Sequence, residues 1–117
     1  MSERTDKDYL AHIREAVKRT ASYTEKMTYE EFLEDIKTQD AVVRNVEIIG
    51  EAIKNLSEEL RNRYSEIPWK SLAGMRDKLI HHYFGVNFSI VWKVAKEELP
   101  EIKKQIEKII KTEKQNG

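Results

Sequence analysis

The sequence predicts an all-α protein, an up-and-down bundle of about five to six helices. Its 117 residues include only four Gly and two Pro, which leaves few turn signals. The alternation of apolar and polar residues that is typical of strands is scarce, whereas apolar residues recur at spacings of three and four. The length suits a single domain, so we expect residues 1–117 to form one domain with a polar tail from about residue 111.

The first two helices are expected within the first 40 residues. A helix from about Thr5 to Ser22 is predicted by residues at helical spacing, namely Tyr9, Ile13, Ala16, Val17 and Thr20. A shorter helix is predicted to begin at Thr28, because Glu31 follows three residues later and completes a capping box.

The strongest periodicity lies between Asp40 and Tyr64 and predicts one long helix. Its apolar residues step alternately by four and three: Val42, Val46, Ile49, Ile53, Leu56 and Leu60. A second apolar strip on another side consists of Ala41, Asn45, Ile48 and Ala52. This helix is therefore expected to pack against two partners, of which one could be another subunit.

Prolines and glycines divide the remaining chain. Pro68 suits a first helical turn and Gly85 a position just past a helix, which predicts a helix from about Pro68 to Phe84. Asn87 is expected to cap a short helix that reaches about residue 95, and Pro100 to open the last one.

Composition excludes several kinds of site. The chain has no Cys, so it cannot form disulfides, thiolate zinc sites or a cysteine nucleophile, and this suits a cytoplasmic protein. No apolar run is long enough for a membrane span. Because 21 basic residues balance 21 acidic ones, a surface that is positively charged throughout and binds nucleic acid by charge alone is excluded. The charge is uneven, however, since residues 1–40 carry −3 and residues 61–82 carry +3.

Arg76 is the first unusual residue of the predicted Pro68–Phe84 helix. On an ideal helix it falls within an apolar arc formed by Trp69, Leu72, Leu79, Ile80 and Tyr83. A buried guanidinium requires a partner. Arg76 should therefore pair with Glu47 or Glu51, or line a cleft or a subunit interface.

The adjacent histidines are the second anomaly. His81 and His82 would lie in the last turn before Gly85, and Asp77, four residues before His81, could hold its ring. An imidazole and a guanidinium can together move a proton and stabilise charge on a phosphoryl group. On an ideal helix Arg76 and His81 would diverge by roughly 140°, so a distorted last turn or a two-fold dimer would have to bring them together. Spacing alone leaves another interpretation open, in which the two histidines have no catalytic role and only stabilise the C-terminal end of their helix.

The residues Arg76, His81 and Tyr83 form an Arg-x4-His-x-Tyr pattern that resembles the signature of the HepT-like proteins, a branch of the HEPN superfamily. The similarity extends in the same order through 41–52, 67–69, 73–77, 83–86 and 90–92. It covers roughly residues 5–110, with His82 at a variable position of the motif.

The resemblance implies a symmetric homodimer in which the two Arg-x4-His motifs face each other. It also implies an endoribonuclease toxin of a toxin–antitoxin module, with Arg76 and His81 catalytic and Asp77 assisting. The implied partner is a minimal nucleotidyltransferase antitoxin, which would silence the toxin by AMPylation of Tyr83.

The residues are compatible with that implied chemistry. His81 could take the ribose 2′-hydroxyl proton and Arg76 could stabilise the pentacoordinate phosphate of an RNA such as tRNA or mRNA, without a metal or cofactor. The alternative is a non-catalytic subunit that binds a nucleotide or substrate for a nucleotidyltransferase. A purely structural interpretation makes Arg76 only an ion-pair partner.

Overall fold

The computed structural model describes residues 4–81 and 85–116, without the side chains of residues 80, 81, 85, 86 and 116. Within these residues the fold is all-α, as the sequence predicts. In chain order the helices are α1 (Asp6–Thr24), α2 (Tyr29–Leu33), α3 (Ile36–Asn55), α4 (Glu58–Arg63), α5 (Trp69–Ala73), α6 (Met75–Leu79), α7 (Phe88–Lys93) and α8 (Leu99–Asn116). A π-helical turn, Val94–Glu98, joins α7 to α8, and two short strands, β1 (Ile80–His81) and β2 (Gly85–Val86), follow α6.

The first two helices begin where the sequence predicts. The Thr5 hydroxyl accepts the Asp8 N–H, and the Asp8 carboxylate accepts the Thr5 N–H, so a complete capping box opens α1. Thr28 and Glu31 form the same reciprocal pair at the start of α2. Both caps satisfy backbone donors that a helix start otherwise leaves unpaired.

The single long helix predicted between residues 40 and 64 is wrong, because the chain forms two helices there. Leu56 is extended and Ser57 caps α4. Asp6 of α1 accepts hydrogen bonds from the Ser57 N–H at 2.7 Å and the Ser57 hydroxyl at 2.6 Å. Apolar periodicity continues across the break since Leu56 and Leu60 are both buried, which is why periodicity alone did not reveal it.

The core lies between α1, α3 and the C-terminal helices. The predicted stripe of α3 is buried throughout, and its largest members are packed with Leu10 and Ile13 of α1 and Ile106 of α8. α3 also contacts α5 and α6 on another side. Thus α3 is the element that carries the next segment, 69–81, on the body of the bundle.

The helix predicted from Pro68 to Phe84 is also wrong. Pro68 precedes the first helical residue, the chain turns at Gly74, and α6 ends at Leu79. β1 then pairs antiparallel with β2, with Ile80 opposite Val86 and His81 opposite Gly85. The Asn87 N–H donates to the Leu79 carbonyl at 2.8 Å and closes this hairpin. This pairing joins residues only four to six positions apart, and it takes the place of the further helical turns that the sequence predicts.

The last helix, α8, begins at Leu99 with Pro100 in its first turn, so the prediction that Pro100 opens it is confirmed. Asn87 does cap α7, with its side chain accepting the Ile90 N–H. The Leu99 N–H bonds to the Val94 carbonyl five residues earlier, which shifts the hydrogen-bond ladder just before Pro100, a residue with no N–H to donate. The polar tail from residue 111 continues α8 to Asn116. No helix among the described residues is both long and apolar enough to span a membrane.

Candidate active site

α6 carries three consecutive charged residues between its two buried ends. Met75 and Leu79, four residues apart, are 1% and 0% exposed and anchor α6 in the core. Arg76, Asp77 and Lys78 are all exposed. The prediction that Arg76 shares the apolar arc is therefore wrong, since the turn at Gly74 resets the helical phase that the arc assumed.

Arg76 pairs with Glu47, one of the two carboxylates that the sequence offered. Its Nε donates to Glu47 Oε2 at 3.1 Å, and the side chains are 49% and 33% exposed. The other candidate, Glu51, lies 3.8 Å from Lys54 instead. Arg76 Nη1 also lies 3.8 Å from Asp77 Oδ1. Glu47 thus fixes one edge of the guanidinium while about half of the Arg76 side chain stays accessible.

β1 carries His81 away from the end of α6. Because α6 ends at Leu79, the prediction that His81 lies in a last helical turn, with the support of a helix dipole, is wrong. The calculated divergence of Arg76 and His81 on an ideal helix no longer applies for the same reason. The His81 side chain, and the whole of His82 and Tyr83, lie outside the described residues. Contact of Asp77 with the His81 ring stays a prediction.

A second polar cluster, which the sequence did not reveal, joins α4 to α8. Glu113 accepts hydrogen bonds from Arg63 Nη1 at 2.8 Å and from the Tyr64 hydroxyl at 2.6 Å. The bond from Tyr64, followed by that from Arg63, lowers the pKa of Glu113. The bond to Glu113, followed by burial, raises the pKa of Tyr64. About fifty residues separate these partners in sequence, so no local pattern could have paired them.

The arrangement at α6 can bind an anion. A guanidinium held at Nε still carries donors at both Nη atoms, and it suits the oxygens of a phosphate. Neighbouring Lys78 adds a second exposed cation, and the two carboxylates near Arg76 are those of Glu47 and Asp77. Among residues 4–81 and 85–116, no three His, Cys, Asp or Glu residues are grouped as a metal site requires.

Comparison with known proteins gives a consistent result. Residues 13–109 match the family described as "Ribonuclease HepT-like". "Putative RNase MJ0127" of Methanocaldococcus jannaschii is 48% identical over 95% of this chain and 92% of its own length. "Probable ribonuclease HepT" of Thermococcus cleftensis is 48% identical over 93% of this chain and 99% of its own. "Putative RNase TTE0752" of Caldanaerobacter subterraneus is 45% identical over 95% and 99%. No solved structure matches the chain.

Proposed function

The chain belongs to the ribonuclease HepT-like family, and from that premise we propose that it is a metal-independent endoribonuclease, the toxin of a toxin–antitoxin module. The observation that carries the proposal is the state of Arg76, a half-exposed guanidinium that Glu47 holds at Nε. It stands five residues before His81 in the family's motif. The exposed half of the Arg76 side chain is what a contact with a substrate phosphate requires.

In the proposed reaction the RNA supplies the nucleophile. The His81 imidazole takes the proton of a ribose 2′-hydroxyl, and the 2′-oxygen attacks the adjacent phosphorus. Arg76 donates to the non-bridging oxygens, on which charge increases in the pentacoordinate transition state. The bond to the 5′-oxygen breaks and that oxygen takes up a proton. The products are a 2′,3′-cyclic phosphate and a 5′-hydroxyl. Asp77 assists by orienting the side chains of the site.

A symmetric homodimer completes the proposed site. Two motif segments that face each other across a two-fold axis would supply two imidazoles and two guanidiniums to one cleft. One imidazole could then accept the 2′-hydroxyl proton while the other donates a proton to the leaving 5′-oxygen. The exposure of Arg76, Asp77 and Lys78 supports an arrangement of this kind, because it leaves these side chains accessible to a second copy.

The proposed antitoxin is a minimal nucleotidyltransferase that modifies Tyr83. The phenol oxygen would attack the α-phosphorus of ATP, and pyrophosphate would leave, so that tyrosine carries AMP. The added phosphate is negative and would stand two residues from His81, where the RNA backbone must lie. Charge repulsion and bulk would both exclude substrate.

Cleavage of RNA in EDTA tests the catalytic part of the proposal. Wild-type protein free of AMP should cut tRNA or mRNA, and His81→Ala should abolish cleavage while the thermal melting curve is retained. His82→Ala is the matched control, because the motif assigns the chemistry to His81, and it should still cleave. If wild-type protein leaves every offered RNA intact but still binds the nucleotidyltransferase, the non-catalytic binding subunit is correct instead.

Intact mass tests the switch independently of cleavage. Protein coexpressed with a nucleotidyltransferase encoded by a neighbouring gene should increase in mass by whole multiples of an AMP group. Tyr83→Phe should remove these mass increments. Tyr64→Phe is the matched control, since Tyr64 already donates to Glu113, and it should keep the increments. Increments that persist in Tyr83→Phe would show that another residue is modified.

A further inference from the structure

A broad groove, here called the α4–α5 groove, lies beside α6 and has no role in the proposed reaction. It encloses about 900 Å³ between the end of α3, α4 and α5. Three cations, Lys54, Arg61 and Lys70, line it against one carboxylate, Glu58. This groove accounts for part of the positive charge of residues 61–82 that the sequence already shows.

Arg61 is incompletely paired inside this groove. Its Nε is buried and has no hydrogen-bond partner among the described residues. An unpaired buried donor costs free energy, and its presence needs an explanation. Arg61 lines the groove, so its positive charge lies where an anion would bind, although the buried Nε itself is out of reach of solvent.

The wall beside Arg61 is fixed by Trp69. The Trp69 indole N–H donates to the carbonyls of Arg61 and Tyr64 at 3.2 and 3.1 Å. Trp69 itself is only 7% exposed, so its ring has little face on which a base could stack. The groove therefore suits a ligand that is recognised by its charge rather than by its bases.

The groove leads toward the motif segment. Ser71 lines it, and the Ser71 hydroxyl accepts a hydrogen bond from Lys78 Nζ at 3.3 Å. Lys78 lies two residues after Arg76 and three before His81. Lys78 thus connects the lining of the groove to the segment that carries Arg76 and His81.

We propose that the α4–α5 groove binds the sugar-phosphate backbone of the RNA beside the cleaved bond. The phosphates contact Lys54, Arg61 and Lys70, and no base is read, so the contact adds affinity for longer RNA without sequence preference. This inference rests on the proposed ribonuclease function, because it names a further part of the same substrate's path.

Salt-dependent binding tests this inference. The probe is a labelled 20-nucleotide 2′-O-methyl RNA, which lacks the nucleophilic hydroxyl, and fluorescence anisotropy gives Kd. Lys54→Gln/Lys70→Gln should lower the slope of log Kd against log salt by about 1.4, at about 0.7 per cation for single strands. If the wild-type and double-variant proteins bind the probe equally at 1 M salt, the double variant should bind it about 25-fold more weakly than wild type at 0.1 M salt. Lys70→Gln alone should give half the change in slope.

A charge-matched control uses another basic surface. Lys111 and Lys114 line a separate groove between α1 and α8, so Lys111→Gln/Lys114→Gln removes the same charge elsewhere. It should change the slope much less. An equal loss in this control, or no loss in the α4–α5 groove variant, would overturn the inference. Retained RNA binding with lost affinity for the nucleotidyltransferase would also overturn it, by making the groove a protein-docking site.

Failure of this inference and failure of the proposed function have different signatures. If wild-type protein cleaves RNA but the Lys54→Gln/Lys70→Gln protein binds the probe with an unchanged slope, only the groove assignment is wrong. If wild-type protein cleaves nothing while the groove variant shows the predicted slope, the ribonuclease function is wrong and the groove still binds RNA. Thermal melting of each variant confirms that the fold is intact.

Discussion

Substitution of Arg76 separates its two possible roles, as a support of the fold and as a group that acts on phosphate. Arg76→Gln removes the ion pair to Glu47, whose atoms lie 3.1 Å apart, with the Arg76 side chain half exposed and that of Glu47 one-third exposed. Exposed ion pairs contribute about 0.2–1 kcal/mol, because water and salt screen them. The free energy of unfolding should therefore fall by less than about 1 kcal/mol, which corresponds to a melting temperature lower by at most about 6 °C.

The effect of Arg76→Gln on catalysis should be far larger. Loss of one donor that stabilises transition-state charge typically lowers kcat by about 100-fold or more. Thermal unfolding and RNA cleavage are measured on the same preparations, with Arg19→Gln as a matched loss of an exposed i,i+4 ion pair. The control should keep full activity. Full activity in Arg76→Gln, or a loss of more than about 3 kcal/mol in stability, would refute the assignment of Arg76 to phosphate chemistry.

Three further predictions follow from the contacts of the fold. Glu47→Gln should lower cleavage several-fold because Arg76 loses its charged support, whereas Glu51→Gln should leave cleavage unchanged; equal rates would show that Glu47 does not position the guanidinium. Gly50→Ala places a methyl group 3.0 Å from the backbone oxygen of Ala73. Overpacking costs about 1–3 kcal/mol, and the better helix propensity of Ala offsets about 1 kcal/mol of this. Chemical denaturation should therefore show a lower free energy of unfolding, and a higher one would contradict the close packing. Glu113→Gln should lower the melting temperature at pH 7. Since the pKa of Glu113 is lowered in the folded state, the extra stability of the wild-type protein should be present above the ordinary pKa range of a carboxyl and disappear as pH falls through the folded pKa. A difference in melting temperature that persists at pH 2 would contradict an origin in the Glu113 charge.

Local sequence signals predicted the fold class and the starts of α1, α2 and α7. The capping box at Thr28 and the cap at Asn87 act through residues three positions away, so the sequence shows both partners at once. The start of α1 was predicted from its apolar stripe. The apolar stripe of α3 likewise predicts the buried residues. These features need no knowledge of the tertiary structure.

The breaks in the helices depend on contacts that apolar periodicity does not show, and the sequence prediction missed them. Asp6 stabilises the start of α4 from fifty-one residues away. β1 ends α6 by pairing with β2, which lies only four to six residues further along the chain. A helical wheel drawn through Gly74 consequently placed Arg76 in an apolar arc. The supposed burial offered Glu47 or Glu51 as a partner, and Arg76 does pair with Glu47. The exposure of Arg76 could not be predicted, because it depends on where the chain turns.

The chemical nature of the RNA ends tests the central claim most directly. RNA incubated with wild-type protein in EDTA is analysed by mass spectrometry of the fragments, with Arg76→Gln and His81→Ala protein in parallel. The account predicts 2′,3′-cyclic phosphate and 5′-hydroxyl ends from wild-type protein and almost none from either variant. Fragments with 5′-phosphate ends, or the same cyclic ends from His81→Ala, would contradict it.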